Sequence, residues 1–481
     1  YYYGNHPQAK KGSDATMNRL LRRNNSYDTT WRHSGAKLNL ITEAFYLGCK
    51  ETHRGEYTLA FRKDLSKLRP GAGKALRYAN PGGTDNPGTL FYLSLTDFTV
   101  SFWAKPTNGA GTFIRLAGPG GGNTIEFEIG NGNPTFQLRC NFSLLQYINS
   151  GSVVQNLTDW SYFTAVKQGN NYKIYVNGIL AGSKDLTGGP TAGTFREFHF
   201  LDMGGWRAGG NFSIDELIVF NKALDQKTIR DYMCRKIDDG HPYSCKNLVM
   251  YFNFDEGSGT VLEDKYGPND IILNNMTFTS WTVSGAAIGD VSTYNYNYPY
   301  NVSLSHPNTD YLESAVTSGG PLGVQLYRVD NRPPVSAAVD SPAIIRSMDS
   351  SRYWGIFTVK AQESVSVSNT VTDHYEKNSR VILANESQLR MLTRANNEDT
   401  LIWHANTSPL PNTINHTLAL TGQSRKEYVL GGTQLTTFAA ATPPATPVFM
   451  SVTASRNRQT VCGNEVGLLY KLVYDGTVTN Y

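Results

Sequence analysis

The amino-acid sequence predicts an all-β protein. Forty-five glycines and twenty-eight tyrosines, set among many Thr, Ser and Asn residues, favour short strands and tight turns over helices. Apolar residues recur with the period of two that a half-buried strand needs, most clearly at Phe98, Val100, Phe102 and Ala104. Asn177-Gly178 stands between two apolar runs, the strongest short-range hairpin signal. At 481 residues the chain exceeds what one core normally holds, so two full domains with extra segments are expected.

Residues 1–44 carry Lys10, Lys11, Arg19, Arg22, Arg23 and Arg32 with few acids and little periodicity. They read as a basic arm, either solvated or docked on a neighbour. Strands are expected at 75–79, 97–105, 112–116, 124–129, 135–140, 160–167 and 172–176, separated by glycine-rich turns such as 118–123. The run 212–220 (FSIDELIVF) adds another, and Leu224, Ile229, Tyr232 and Met233 suit one face of a short helix within 221–233. Three prolines in Ala439–Pro447 lack the amide donors of a central strand and mark a linker.

Trp160–Val166, YKIYVNGILAGS at 172–183 and SIDELIVFNKALDQKTIRDYM at 213–233 resemble, in order and spacing, the closing motifs of LamG-like (concanavalin A-like) jelly-roll domains. The resemblance covers about residues 75–235 and implies a fold without implying a ligand. A second resemblance follows. NLVMYFNFDEGSGTVLEDKYG at 247–267 and SWTVSGAAIGD at 280–290 look like the junction after such domains in large surface proteins of Bacteroidota. The stretches at 321–330, 352–359, 401–406 and 425–432 are similar to the β-sandwich that comes next. Residues 448–481 resemble the opening strands of an Ig-like repeat of giant adhesins. The expected organisation is a basic arm (1–44), a jelly roll with exit segment (45–280), a β-sandwich (281–435), a Pro-rich linker (436–447) and an incomplete Ig-like segment (448–481).

Composition narrows the function. Charged residues are 17% of the chain and the net charge is +4, too dilute to attract nucleic acid strongly. No stretch approaches the roughly 20 apolar residues of a membrane-spanning helix. The opening Tyr1-Tyr2-Tyr3-Gly4 is neither signal peptide nor initiator Met, so the chain reads as processed or cut from something longer. The five cysteines form no CxxC pair and show no zinc spacing, which points to disulfides outside the cytosol. The pairs expected are Cys234–Cys245, across a loop containing Gly240 and Pro242, and Cys49–Cys140, with Cys462 left over. Nine Asn-x-Ser/Thr sequons agree with secretion, though a chain rich in Asn, Ser and Thr generates many by chance.

Chemistry is sparse. On this fold a retaining glycosidase needs two carboxylates about 5–5.5 Å apart on one strand face. Glu126 and Glu128 in TIEFEI stand two residues apart, but Gly130-Asn131 ends the strand where the family's third acid belongs. They read as strand-surface acids. No G-x-S-x-G elbow or H-E-x-x-H helix occurs, and both Gly71-Ala72-Gly73-Lys74 and Gly118–Gly122 read as turns rather than phosphate loops.

LamG-like folds often hold calcium at a sheet edge, and the candidate ligands are Asp85, Asn86, Asp215 and Glu216. The alternative is that Asp85 and Asn86 turn the chain while Asp215 and Glu216 pack on polar backbone. Trp206-Arg207, in MGGWRAGGN, offers an indole and a guanidinium for a sugar, or else a Trp that plugs the sandwich end. The alternate tyrosines of Tyr294–Tyr300 read as an edge strand whose rings bridge core and solvent. The function expected is a secreted, non-catalytic structural and adhesive module that assembles with copies of itself or neighbouring repeats. A carbohydrate-binding module and a degenerate glycoside hydrolase are the alternatives.

Overall fold

The computed structural model describes residues 71–78, 90–108, 111–117, 124–129, 136–142, 144–149, 159–185, 193–200, 211–238, 240–244, 246–266, 270–273, 279–331, 333, 345–362, 364–398 and 403–439. It also describes short strands at 22–23, 26–27, 45–51, 57–63, 457–461 and 465–469. For the end strands and for most of the first sheet below, only the backbone path is described.

Strand pattern becomes architecture through four sheets. The first has six strands, in the order Leu144–Asn149, Phe136–Phe142, Thr124–Ile129, Gly111–Ala117, Gly193–Phe200 and Leu90–Leu95. The second runs Ile179–Asp185, Asn171–Val176, Ser161–Gln168, Phe98–Asn108, Asn211–Phe220, Lys74–Tyr78 and Thr279–Val283, with Leu248–Phe252 also paired on Asn211–Phe220. The chain passes repeatedly between these two sheets, which is the jelly-roll pattern.

The third sheet runs Val291–Asn295, Gly323–Val329, Tyr353–Val359, Lys426–Gly432, Leu389–Arg394 and His404–Asn406, with Ser347–Met348 paired on Lys426–Gly432. The fourth runs Val302–Ser305, Tyr311–Ser318, Ser368–His374 and Thr417–Gln423. All strand pairing within these four sheets is antiparallel.

Alternation assigns side chains to three cores. On the second sheet Phe98, Val100, Phe102 and Ala104 share one core with Phe163, Ile174 and Val219, as the pattern predicts. Between them Trp103 points the other way, into a second core with Tyr162, Ile218 and Phe220. That second core also contains Tyr327, Val329, Tyr353, Phe357 and Val429 from the third sheet. On the third sheet the even residues Leu326, Ile356, Tyr428 and Leu430 turn to a third core, shared with Leu312, Val371 and Leu418 of the fourth. The jelly roll and the second sandwich are therefore joined through an apolar core rather than by a free linker.

The closing elements fall close to where the sequence puts them. Asn177 and Gly178 both take positive φ, 50° and 74°, the geometry of a tight hairpin turn. A side chain at 178 would meet the Tyr296 hydroxyl at 2.7 Å, so the glycine also admits the second sandwich. The helix spans Gln226–Met233, capped by Asp225, whose carboxylate accepts from the Thr228 amide at 2.7 Å, and it buries Thr228, Ile229 and Met233.

Several boundaries shift. Thr279–Val283 pairs with Lys74–Tyr78, so the strand across the expected 280/281 border belongs wholly to the jelly roll. Phe438, expected in the linker, is buried in the third core and bridges to Val381. Phe45–Glu51 and Tyr57–Lys63, expected within the jelly roll, instead form a separate sheet with Asn457–Val461 and Glu465–Leu469.

Cys234 is a free thiol, fully buried in the second core, and not half of the expected bridge to Cys245. Its loop is closed by packing instead. His241 stacks on Phe220 with ring centroids 4.8 Å apart and packs at a tilt against Tyr232 at 4.0 Å, while Ser244 donates its amide to the His241 carbonyl at 3.1 Å. The side chains of Cys49, Cys140, Cys245 and Cys462 lie outside the described residues.

Trp103→Ala should cost about 3–5 kcal/mol, because it opens a cavity between the two sandwiches. Calorimetry should show one transition for jelly roll and second sandwich together, moved down as a whole by the substitution. Two independent transitions in the native chain would contradict the shared core.

Candidate functional site

A group of buried ionisable side chains lies at the junction of the two sandwiches. The strand Asn211–Phe220 carries a β-bulge, its register slipping between Asp215 and Ile218, with Glu216 at φ +51°. A bulge adds one residue and inverts the alternation. Phe212 and Ile214 before it, and Leu217 and Val219 after it, therefore all reach the same core. The two consecutive acids between them are buried beside junction groups, at 0% and 2% exposure.

Their neighbours come from the exit segment. The Tyr251 hydroxyl donates a short hydrogen bond to Glu216 Oε2, and the Glu216 amide donates to Asp215 Oδ1 at 2.8 Å. Ser284 also hydrogen-bonds Asp215. The Lys236 ammonium stands 3.3 Å from Asp255 Oδ2, which also accepts from Asn253 Nδ2 at 2.8 Å. Asp255 Oδ1 accepts from the Lys74 amide at 2.9 Å. Gly73, at φ +63°, is required there, since a Cβ would sit 1.8 Å from that oxygen. The glycine-rich run at 71–74 is thus a turn, as expected, and it clasps Asp255.

Burial dominates the electrostatics. It pushes the Asp215 carboxyl well above the usual carboxylate range, with the adjacent Glu216 adding to the effect. Glu216 is pushed up to about 7 by burial, against the pull of Lys236 and the Tyr251 hydrogen bond. Asp215 Oδ2 and Glu216 Oε1 have no hydrogen-bond partner among the described residues. Such a pair can hold a proton near neutrality, but its burial keeps it from a polymeric substrate.

The same residues were candidates for calcium. Among the described residues no three His, Cys, Asp or Glu side chains are arranged to hold a metal ion. Among the described residues, those recorded beside the two acids are a lysine, a tyrosine hydroxyl, a serine and Asp255, which is itself paired with Lys236. Asp85, Asn86, Trp206 and Arg207 lie outside the described residues.

Further across the junction, Arg394 donates a short hydrogen bond to Glu427, and the Tyr327 hydroxyl donates to the other Glu427 oxygen at 3.0 Å. The guanidinium lies 4.6 Å from the Trp403 ring centroid and 5.4 Å from that of Tyr353. Lys105 of the jelly roll pairs with Glu398 of the second sandwich at 2.6 Å, and Asn397 donates to the Gly73 carbonyl at 3.2 Å. Tyr296, from the tyrosine run, donates its hydroxyl to the Asn177 carbonyl at 2.9 Å beneath the Arg230 guanidinium, whereas Tyr298 is 87% exposed. Only Tyr294 and Asn295 of the run lie in the edge strand Val291–Asn295; Tyr296–Tyr300 leave it in a turn, so the expected edge strand over the whole run is not formed.

On the first sheet, register sets Glu126 between Arg115 on one neighbouring strand and Arg139 on the other. Sequence reasoning missed Lys236, Tyr251, Asp255, Arg394 and Glu427. Only the Asp-Glu pair inside an apolar run signalled that charge would be buried here.

Residues 83–230 match the family model described as the concanavalin A-like lectin/glucanases superfamily, in agreement with the jelly roll expected there. No curated protein matches the chain. Among solved structures, a heptameric SAP-like pentraxin from Limulus polyphemus is similar at 17% identity and TM-score 0.28, over 33% of this chain and 81% of its own. A putative carbohydrate binding protein from Bacteroides ovatus is similar at 15% identity and TM-score 0.34, over 50% and 66%. A Ruminococcus gnavus sialidase module CBM40, bound to α2,3 sialyllactose, is similar at 13% identity and TM-score 0.24, over 31% and 94%. At these scores the likenesses carry no functional argument.

Glu216 sets a pH dependence. Its unfolded-state value is near 4.5 and its folded value about 7, so the folded state keeps a proton that the unfolded state has released. Stability from this group is full below about pH 4.5 and is lost as pH rises to about 7, at up to about 1.4 kcal/mol per pH unit. His241, lowered to about 3 by burial, acts oppositely, losing stability as pH falls below about 6.5. Comparing native protein with Glu216→Gln removes the His241 contribution. The variant should gain relative stability between pH 5 and pH 8, and a difference that stays flat across that range would refute the buried-acid account. Calcium added to chelator-treated protein should give no rise in melting temperature that depends on Asp215, and a rise lost in Asp215→Asn would place a metal at this pair.

Proposed function

We propose that the chain is a non-catalytic structural and adhesive module of a secreted cell-surface assembly, contacting copies of itself or neighbouring repeats. The observation that carries this reading is the shared core between the sandwiches. A sheet that would otherwise offer a broad solvent face is spent on holding a neighbouring domain, with Trp103 against Phe357 edge to face at 5.1 Å. Ion pairs and hydrogen bonds fix the same junction. Stiffness of this kind suits a part that transmits load or sets spacing. The resemblance of the exit segment and second sandwich to Bacteroidota surface proteins agrees with it.

A carbohydrate-binding module is the second reading, favoured by the family match, which takes in Trp206 and Arg207. The two readings are compatible if the jelly roll also anchors the assembly to a glycan. Hydrolysis is not part of the proposal: Glu126 is set in register between arginines, where opposite charges stabilise a sheet, and the Asp215–Glu216 pair is interior.

Imaging of the full chain should show extended particles whose population grows with concentration. A chain that stays monomeric at every concentration would remove the structural reading. On a glycan array, any binding by the full chain should fall at least tenfold in Trp206→Ala. β-Glucans should remain uncut by the native protein and by Glu126→Gln and Glu128→Gln alike, and turnover abolished by either substitution would make the chain an enzyme.

A further inference from the structure

The four-stranded sheet built from the chain's two ends has an unusual construction. One half is the hairpin Phe45–Glu51 with Tyr57–Lys63, paired in full register from Phe45↔Lys63 to Glu51↔Tyr57. The other is the hairpin Asn457–Val461 with Glu465–Leu469, paired from Asn457↔Leu469 to Val461↔Glu465. They meet along one seam of three residue pairs, Leu47↔Leu468, Gly48↔Gly467 and Cys49↔Val466. Among the described residues, no strand of this sheet pairs with any strand of the four-sheet body.

We infer that this seam is exchangeable, so that the amino-terminal hairpin of one copy pairs with the carboxy-terminal hairpin of a second copy of this chain. The inference rests on the assembly reading above and names its joint. Each hairpin supplies its own internal ladder, and only the three-pair seam must open for exchange. The hairpins leave the body at different places: one precedes the jelly-roll strand Lys74–Tyr78 through residues 64–70, the other follows the second sandwich at Ala439 through residues 440–456. Extended, these connections reach roughly 23 Å and 56 Å at about 3.3 Å per residue. Every copy carries both halves of the joint, so reciprocal exchange between two copies closes a pair, and successive exchange generates a larger ring or an open chain. Closure within one chain competes at an effective concentration of roughly millimolar, which places exchange where copies are crowded.

The register supplies the test. Val466 stands opposite the native Cys49, and directly opposed residues of antiparallel strands come close enough for a disulfide. The full-length V466C protein, oxidised across a range from micromolar to about 1 mM, should give covalent multimers, with the new disulfide joining the Cys49 peptide of one chain to the 466 peptide of another. Their share should rise at least tenfold over that range. A cross-link confined to single chains at every concentration, or no cross-link between these positions, overturns the exchange. Gly467→Pro, at the centre of the seam, should abolish multimers of the otherwise native chain while leaving the main thermal transition unmoved; persisting multimers would place the joint elsewhere. If native particles form while V466C links only internally, the exchange fails and the assembly reading survives. If the native chain is monomeric throughout, both fail.

Discussion

A β-sheet with large apolar side chains on both faces has to be covered twice, and the second sheet of this protein is such a sheet. Phe98, Val100 and Phe102 commit one face to the jelly-roll core, and Trp103, Tyr162 and Ile218 commit the other to whatever comes next in the chain. Indole and phenol rings exposed in that number would be a liability in water, since large contiguous apolar patches promote association. The exit segment, the helix Gln226–Met233 and the third sheet are all arranged to meet this demand. The Trp103 indole donates to the Met233 carbonyl at 2.9 Å.

Charge within the junction follows from the same demand. Covering a sheet with a second domain traps the ends of side chains that neither domain alone would bury. Arg394 and Glu427 compensate each other, with Tyr327, Tyr353 and Trp403 taking the remaining surfaces. Breaking one member of such a buried pair costs far more than the pair contributes. Asp215 and Glu216 are less completely compensated, with one oxygen of each unpartnered among the described residues.

What was legible in the sequence was local. Alternation in DFTVSFWAK gave the strand and its inner face, Asn177-Gly178 gave the hairpin, and Leu224, Ile229 and Met233 gave the helix, because each signal sits within a few residues. The same run hid the importance of Trp103, since one aromatic on the polar phase of a strand means little until a partner surface is known. Asp215 and Glu216 were recognised as special but assigned to an edge, because a bulge that turns two neighbours to one side leaves no mark in a period-two pattern. Arg394 and Glu427 are 33 residues apart, and nothing in the intervening sequence shows that adjacent strands will join them. The meeting of residues 47–49 with 466–468 is more distant still, and the carboxy-terminal segment read alone looked like a fragment of a further repeat.

Cys234 gives the molecule a built-in reporter. Its sulfur is sealed in the core between the sandwiches, and burial pushes the thiol well above its ordinary pKa, so in the closed state it is both shielded and protonated. A thiolate-seeking reagent reaches it only after the two domains part or the whole body unfolds. The rate at which this sulfur is alkylated is thus a clock for junction opening, and a pulling force or a bound partner that loosens the domain contact would register as faster labelling long before any secondary structure is lost.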